Sequence, residues 1–201
     1  TAVQTQPIRF ANQTQPQTHS VSHDHALLKL APAPTSWLPN GDYVDCTSGF
    51  NTFGLDLPLV LTAWQDASAL GLRSHLIKTQ EGSTPITCSI NPQLAQEAYT
   101  VDISNQSITL EASHEQGFYY GFISLLQMYC SYKGSLPCGR IEDQPRYHWR
   151  GQHLDCARQF FDTKTLCELL DLMALLKLNR FHWHPIDDEA FRIELECAPE
   201  L

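Results

Sequence analysis

Between residues 99 and 129 the hydrophobic period changes, and that change limits the fold more than any other feature of the chain. Tyr99, Val101 and Ile103 alternate with Thr100, Asp102 and Ser104, and after Asn105-Gln106 the alternation resumes at Ile108 and Leu110. Two period-two runs around a polar tip predict a β-hairpin. Phe118, Phe122, Leu125, Leu126 and Tyr129 then recur at helical spacing. This spacing predicts an amphipathic helix of about four turns with its apolar face against a sheet. Strands followed by a helix that covers one sheet face make an α+β unit, with an antiparallel sheet covered by helices.

A second pattern starts after Ile141-Glu-Asp-Gln-Pro145, where charge and proline mark a boundary. Residues 152–156 read as a short strand. Asp162 is a natural N-cap for a helix that carries Leu166, Leu169, Leu170, Met173 and Leu176 on one face. Lys177 falls in its last turn, and Asn179 suits a left-handed stop. Residues 180–185 follow as a second strand. Strand, helix and strand with short connections imply parallel pairing. One such unit cannot stand alone as a sheet, so it reads as the opening of a larger α/β domain.

The chain therefore divides into a flexible lead-in over 1–25, an α+β unit over 26–145 and a β-α-β segment over 146–201. Residues 1–25 are poor in large apolar side chains. His19, His23, Asp24 and His25 there read as solvated rather than metal-binding. Residues 26–30 suggest a first strand, which Pro32, Pro34, Pro39 and Asn40-Gly41 then interrupt. Residues 55–72 read as partly helical.

Charge narrows the function. Thirteen Lys and Arg stand against 22 Asp and Glu, a formal charge of −9. Such a chain is ill suited to neutralising nucleic-acid phosphates or to an anionic membrane surface. No run reaches the ~18–20 apolar residues of a membrane span. The opening TAVQTQPIRF has neither a basic n-region nor an apolar h-region, so no leader is expected in it. Seven cysteines are scattered without a CxxC pair. They read as free thiols of a reducing, cytoplasmic setting, with a periplasmic or secreted one left open.

Polar residues collect just past the two strands of the β-α-β segment. Asp155 and Arg158 follow the first. His182, His184, Asp187, Asp188, Glu189 and Arg192 lie on and after the second. In parallel α/β domains ligands bind at the C-terminal ends of strands. Such charges also cap helices and pair with one another, so placement alone leaves both readings open. His182 and His184 are two apart on a strand and share a face, as metal-binding histidines of barrel hydrolases do. Without a third ligand at useful spacing, histidines bonded to nearby carboxylates are the favoured reading. Asp187 and Asp188 are adjacent and point apart, so they do not form a matched acid/base pair.

Taken together, these residues resemble a family. Trp149-Arg-Gly-Gln-His-Leu-Asp155-Cys-Ala-Arg158 resembles the opening barrel strand of glycoside hydrolase family 20, the β-N-acetylhexosaminidases. The run Leu172-Met-Ala-Leu-Leu-Lys-Leu-Asn179-Arg-Phe-His182-Trp-His184-Pro-Ile-Asp187-Asp188 resembles its next helix and strand. Residues 97–112 and 117–127 resemble the accessory domain that precedes the barrel, and residues 141–146 the link into it. Glu189-Ala190-Phe191 stands where the family usually has Gln-Gly-Trp, and Pro185 replaces a usual Leu.

The resemblance implies an α+β accessory domain followed by the truncated start of a (β/α)8 TIM barrel. It implies hydrolysis of terminal β-linked N-acetylglucosamine or N-acetylgalactosamine by a retaining, substrate-assisted route, with no cofactor and no metal. The partner is then an N-acetylhexosamine-terminated oligosaccharide or glycan. Arg158 resembles the arginine that binds hydroxyls of the terminal sugar, and Asp187 the aspartate that borders the catalytic site. The catalytic Asp-Glu pair belongs to the fourth barrel strand, which no segment here resembles, so the chain alone is expected to be inactive.

Two other functions compete. One is a metal-dependent barrel hydrolase using His182 and His184. The other is a non-catalytic carbohydrate-binding or interaction module. The apolar face of the second helix also leads to an expectation about assembly: residues 146–201 are poorly ordered, or a partner chain covers them in a homo-oligomer.

Overall fold

The computed structural model describes residues 28–53 and 83–198. The expected lead-in over 1–25 and the helical reading of 55–72 lie outside the described residues.

The centre of the chain is a six-stranded sheet. Its strands are β1 (Ser36–Asp45), β2 (Phe50–Phe53), β3 (Thr84–Ile90), β4 (Tyr99–Ile103), β5 (Ile108–Ala112) and β6 (Ser135–Asp143), in the order β1-β6-β4-β5-β3-β2. The hairpin forms as the alternation predicts, with Val101 opposite Leu110 and Ile103 opposite Ile108. The sheet is mixed, however, not antiparallel. β3 runs parallel to both β5 and β2. The sequence hides this because β2 is only four residues long and Pro85 interrupts the apolar pattern of β3.

Two further expectations are corrected at the first strand. Leu28–Leu30 carries no regular structure, and the strand begins at Ser36 instead. Pro39 does not break it. Among the described residues β1 pairs only with β6, and between Pro39 and Tyr43 it spends more residues than its partner does. An edge strand with a bulge tolerates a proline, because the missing N–H costs no ladder bond. Gly41, with φ of 91°, sits in this bulge.

Helix α1 (Glu115–Tyr132) covers one face of the sheet. Phe118, Phe122, Leu125 and Leu126 are buried against Val101, Ile108 and Leu110. The helix lies close because its contact face is glycine. A Cβ at Gly117 would run into the Ala98 carbonyl, and one at Gly121 into the Leu110 side chain.

The second unit follows as expected. Strand β7 (Gly151–Asp155), helix α2 (Thr163–Leu175) and strand β8 (Arg180–His184) form a parallel β-α-β unit. Asp162 caps α2, its Oδ1 accepting the Thr165 N–H at 2.8 Å. A short hairpin of β9 (Ile186–Asp187) and β10 (Ala190–Phe191) follows.

The expectation of a loose or partner-covered segment did not foresee how this unit is seated. It docks on its own sheet domain through buried polar contacts. Lys177 is not in the last turn of α2. It lies past the helix end in the left-handed region, at φ 58°, and is 6% exposed. Its Nζ donates to Tyr99 Oη at 2.7 Å, Ser124 Oγ at 2.8 Å and Asp143 Oδ2 at 3.0 Å. All three ammonium protons are thus used. Burial pushes the Lys177 amine down and the Asp143 charge opposes that shift. Burial, then the Asp143 charge, raises the Tyr99 phenol well above its ordinary value, so the phenol stays neutral and donates to Asp143 Oδ2 at 2.7 Å.

A second tie sits at the start of β7. Arg150 forks onto Glu97 at 2.8 and 3.2 Å and touches Tyr120 Oη at 3.0 Å. Asn179, expected to stop the helix, instead stitches the two strand entrances. Its Oδ1 accepts the Arg150 N–H at 3.0 Å and its Nδ2 donates to the His148 carbonyl at 2.8 Å. Gln127 of α1 donates to the Leu175 carbonyl at 2.9 Å.

The apolar face of α2 is only partly satisfied. Met173 is buried, whereas Leu170 is 43% exposed. A groove of about 460 Å³ runs between α1 and α2, lined by Tyr119, Leu170, Met173 and Phe181.

Removing one member of a buried ion pair leaves the other charge uncompensated, at a cost of about 3–5 kcal/mol. Lys177→Met is therefore expected to destabilise the chain by that order in urea unfolding. Lys177→Met with Asp143→Leu is expected to recover most of it. A double variant as unstable as the single one would show that packing, not charge, holds this joint.

Candidate functional site

The parallel register of β7 and β8 builds the site. His153 stands opposite His182, and Asp155 opposite His184. Residues two apart on a strand share a face, so all four side chains lie on one side of this two-stranded sheet. The rings of His153 and His182 are 4.6 Å apart, those of His153 and His184 5.9 Å, and those of His182 and His184 6.4 Å. His153 was missed in the sequence, although its place two residues before Asp155 puts it on this face.

Four groups close into a ring at the C-terminal ends of the strands. Asp155 Oδ1 lies 3.4 Å from His184 Nδ1, and His184 Nε2 lies 3.9 Å from Asp187 Oδ2. Arg158 Nη2 is 3.9 Å from Asp187 Oδ2, and its Nε is 3.5 Å from Asp155 Oδ2. The expected site residues Arg158 and Asp187 are thus brought together, with Asp155 and His184 between them. His184 faces two carboxylates, as the reading of the histidines expects, whereas His182 faces the His153 ring.

Asp188 supports the Asp187 carboxylate through both its backbone and its side chain. It lends its backbone N–H to Asp187 Oδ1 at 2.7 Å. That bond first, then the Asp188 side chain, with His184 and Arg158 nearby, holds the Asp187 carboxyl below the usual aspartate value. The Arg158 N–H does the same first for Asp155, with help from His184 and the Ala157 N–H. Both are therefore carboxylates across the neutral range. They can accept hydrogen bonds from a ligand and orient a cation, but they hold no proton to donate.

Arg158 is the most available member of the ring. Its side chain is 67% exposed and its two ion-pair contacts are long. A guanidinium in that state can turn to a ligand and bond two vicinal hydroxyls with its fork. Trp183 Nε1 donates to Cys156 Sγ at 3.3 Å behind the ring. Among the described residues no group of three His, Cys, Asp or Glu side chains is arranged to hold a metal ion.

Comparison with known proteins identifies the family of the chain. The family described as Glycosyl hydrolase family 20, domain 2, matches residues 28–144, and the Glycosyl hydrolase family 20 catalytic domain matches residues 147–201. The chain belongs to glycoside hydrolase family 20. It holds the family's domain 2 and the start of its catalytic domain.

A β-hexosaminidase of Vibrio furnissii is 32% identical over 205 residues, which covers 97% of this chain and 32% of that protein. An N,N'-diacetylchitobiase of Vibrio harveyi is 34% identical over 177 residues, covering 83% of this chain and 20% of that one. The crystal structure of a family 20 exo β-N-acetylglucosaminidase from Vibrio harveyi, in complex with N-acetylglucosamine, superposes with a TM-score of 0.72 at 29% identity. It is matched over 93% of this chain and 29% of its own. The family 20 chain described here thus spans a third or less of the length of these relatives.

The depressed carboxyls give a titration test. A group whose folded pKa lies below its unfolded value stabilises the fold above the unfolded value, and that contribution is lost as pH falls through the folded pKa. Asp155 and Asp187 are expected to titrate below 3.8 in carbon-detected NMR, with the stability they contribute lost only below that value. Titration of either carboxyl at or above 3.8 would mean that the contacts to Arg158, His184 and the Asp188 N–H do not persist in solution.

Proposed function

We propose that this chain is the accessory domain and the opening β-α-β of a β-N-acetylhexosaminidase barrel, divided near residue 145. The complete enzyme removes terminal β-linked N-acetylglucosamine or N-acetylgalactosamine from oligosaccharides or glycans. The observation that carries this reading is the convergence of Arg158 and Asp187, 3.9 Å apart, at the C-terminal ends of β7 and β8 in a family 20 chain. Active sites of such barrels are built at that end.

In this reading Arg158 leaves its long contacts and binds two hydroxyls of the terminal sugar. Asp187 borders the reacting ring and, with Asp155, balances the charge of the guanidinium. The 2-acetamido oxygen of the substrate attacks its own anomeric carbon, so the stereochemistry at that carbon is retained overall. A Glu that protonates the leaving oxygen and an Asp that steadies the acetamido group come from a later barrel strand, outside these residues. Further barrel elements pack on the exposed side of α2 and on Trp183. A second copy of the chain is the alternative cover when the 201-residue chain is isolated.

The test is made in the complete hydrolase. Each charge-assisted hydrogen bond is worth about 1.5–3 kcal/mol, so losing two should lower kcat/KM by roughly 10²–10⁴. Arg158→Ala is expected to do so on an aryl N-acetyl-β-glucosaminide without a change in melting temperature. Asp187→Asn should also slow turnover in a folded protein. The isolated 201-residue chain should leave the same substrate intact. Normal kinetics for a folded Arg158→Ala variant would overturn the reading.

A further inference from the structure

Arg192 lies just past β10, far along the chain from Arg158, yet it holds the turn that carries Arg158. Its Nε donates to the Cys156 carbonyl oxygen at 3.1 Å and its Nη2 to that of Ala157 at 3.2 Å. From the other side, Asp155 Oδ1 accepts the N–H of Ala157 at 3.0 Å and that of Arg158 at 3.2 Å. These four bonds fall on two consecutive peptide units, Cys156-Ala157 and Ala157-Arg158. In each unit Arg192 takes the carbonyl and Asp155 takes the N–H.

A peptide unit is planar, so gripping both its ends fixes its plane. Fixing two successive planes fixes the backbone dihedrals of Ala157 between them, and with them the position of the Arg158 N–Cα bond from which its side chain sets out. Cys156 and Ala157 are 3% and 2% exposed, so the grip is largely closed to water. The Cys156 N–H is also bound, to the His184 carbonyl at 2.9 Å. The Arg192 guanidinium lies 5.7 Å from the ring of Phe160, which extends the hold along the same loop.

We propose that Arg192 is a positioning residue for sugar binding: with Asp155 it clamps the two peptide units before Arg158 and so aims the Arg158 guanidinium at the sugar hydroxyls. The proposal rests on the reading that Arg158 binds those hydroxyls. A lysine would not replace Arg192, because an ammonium on a flexible stem lacks the planar fork that meets two carbonyls at once.

A double-mutant cycle in the complete hydrolase tests it. The variants are Arg158→Ala, Arg192→Met, Arg192→Lys and Arg158→Ala combined with each Arg192 change. Misplacement of a binding group by about 1 Å can cost about 10²-fold, and Arg192→Met is expected to lose that order in kcat/KM. Arg192→Lys is expected to lose less, in the same direction. In the Arg158→Ala background both Arg192 changes should cost almost nothing more, since the clamp has nothing left to aim. A residue with a merely structural role would give losses that multiply.

Thermal unfolding of each variant accompanies the kinetics, and if Arg192→Met does not fold, the Arg192→Lys cycle decides. Near-normal rates for folded Arg192 variants, multiplying losses, or failure of both to fold would overturn the clamp. Normal kinetics for Arg158→Ala would instead overturn the sugar-binding reading itself.

Discussion

The interaction on which the rest depends is the buried ammonium of Lys177. It stands between the two halves of the chain, with each of its three protons given to an acceptor of the sheet domain. An unpaired charge in that position would be too costly to keep, so the cluster either forms whole or the joint opens. Lys177 comes three residues before β8 begins. Arg150, held by Glu97, comes directly before β7. Each strand of the site is therefore tied to the sheet domain at its N-terminal end.

The candidate site lies at the other end of those strands, and its electrostatics differ. At the joint the contacts run from 2.7 to 3.0 Å and Lys177 is buried. Around Arg158 and Asp187 the ion-pair distances run from 3.4 to 3.9 Å and Arg158 is mostly exposed. Exposed pairs of that length contribute little stability, being screened by water and salt. This weakness is useful in a binding site, because the partners can be exchanged for a ligand at small cost. The backbone beneath them is held more firmly than the side chains themselves, since the turn from Asp155 to Arg158 is bonded at every peptide group.

Much of this was legible in the sequence wherever a local rule was enough. The alternation of Tyr99, Val101 and Ile103 encodes the hairpin, the spacing of Phe118, Phe122 and Leu125 encodes α1, and Asp162 caps α2 as its residue type suggests. The strand-end placement of Arg158 and Asp187 also pointed to the site. What was misread has a physical reason in each case. Pro39 looks like a breaker, but an edge strand can absorb it in a bulge. The parallel pairing of β3 depends on strands distant in sequence, so the hairpin alone suggested an antiparallel sheet. Lys177 looks like a surface lysine at a helix end until three acceptors from other elements surround it.

The sequence by itself determined the family, the hairpin, the two helices, the parallel strand pair and the strand ends where polar groups gather, because these follow from residue type and period along the chain. Only the tertiary structure decided which of those polar groups meet. It put Asp155 beside His184 and Arg158 beside Asp187, set Arg192 on the turn behind Arg158, and buried Lys177 against Asp143. The reason is that a hydrogen bond between residues tens of positions apart leaves no mark on local spacing. It exists only once strand register and domain docking have fixed both partners within about 3 Å of each other.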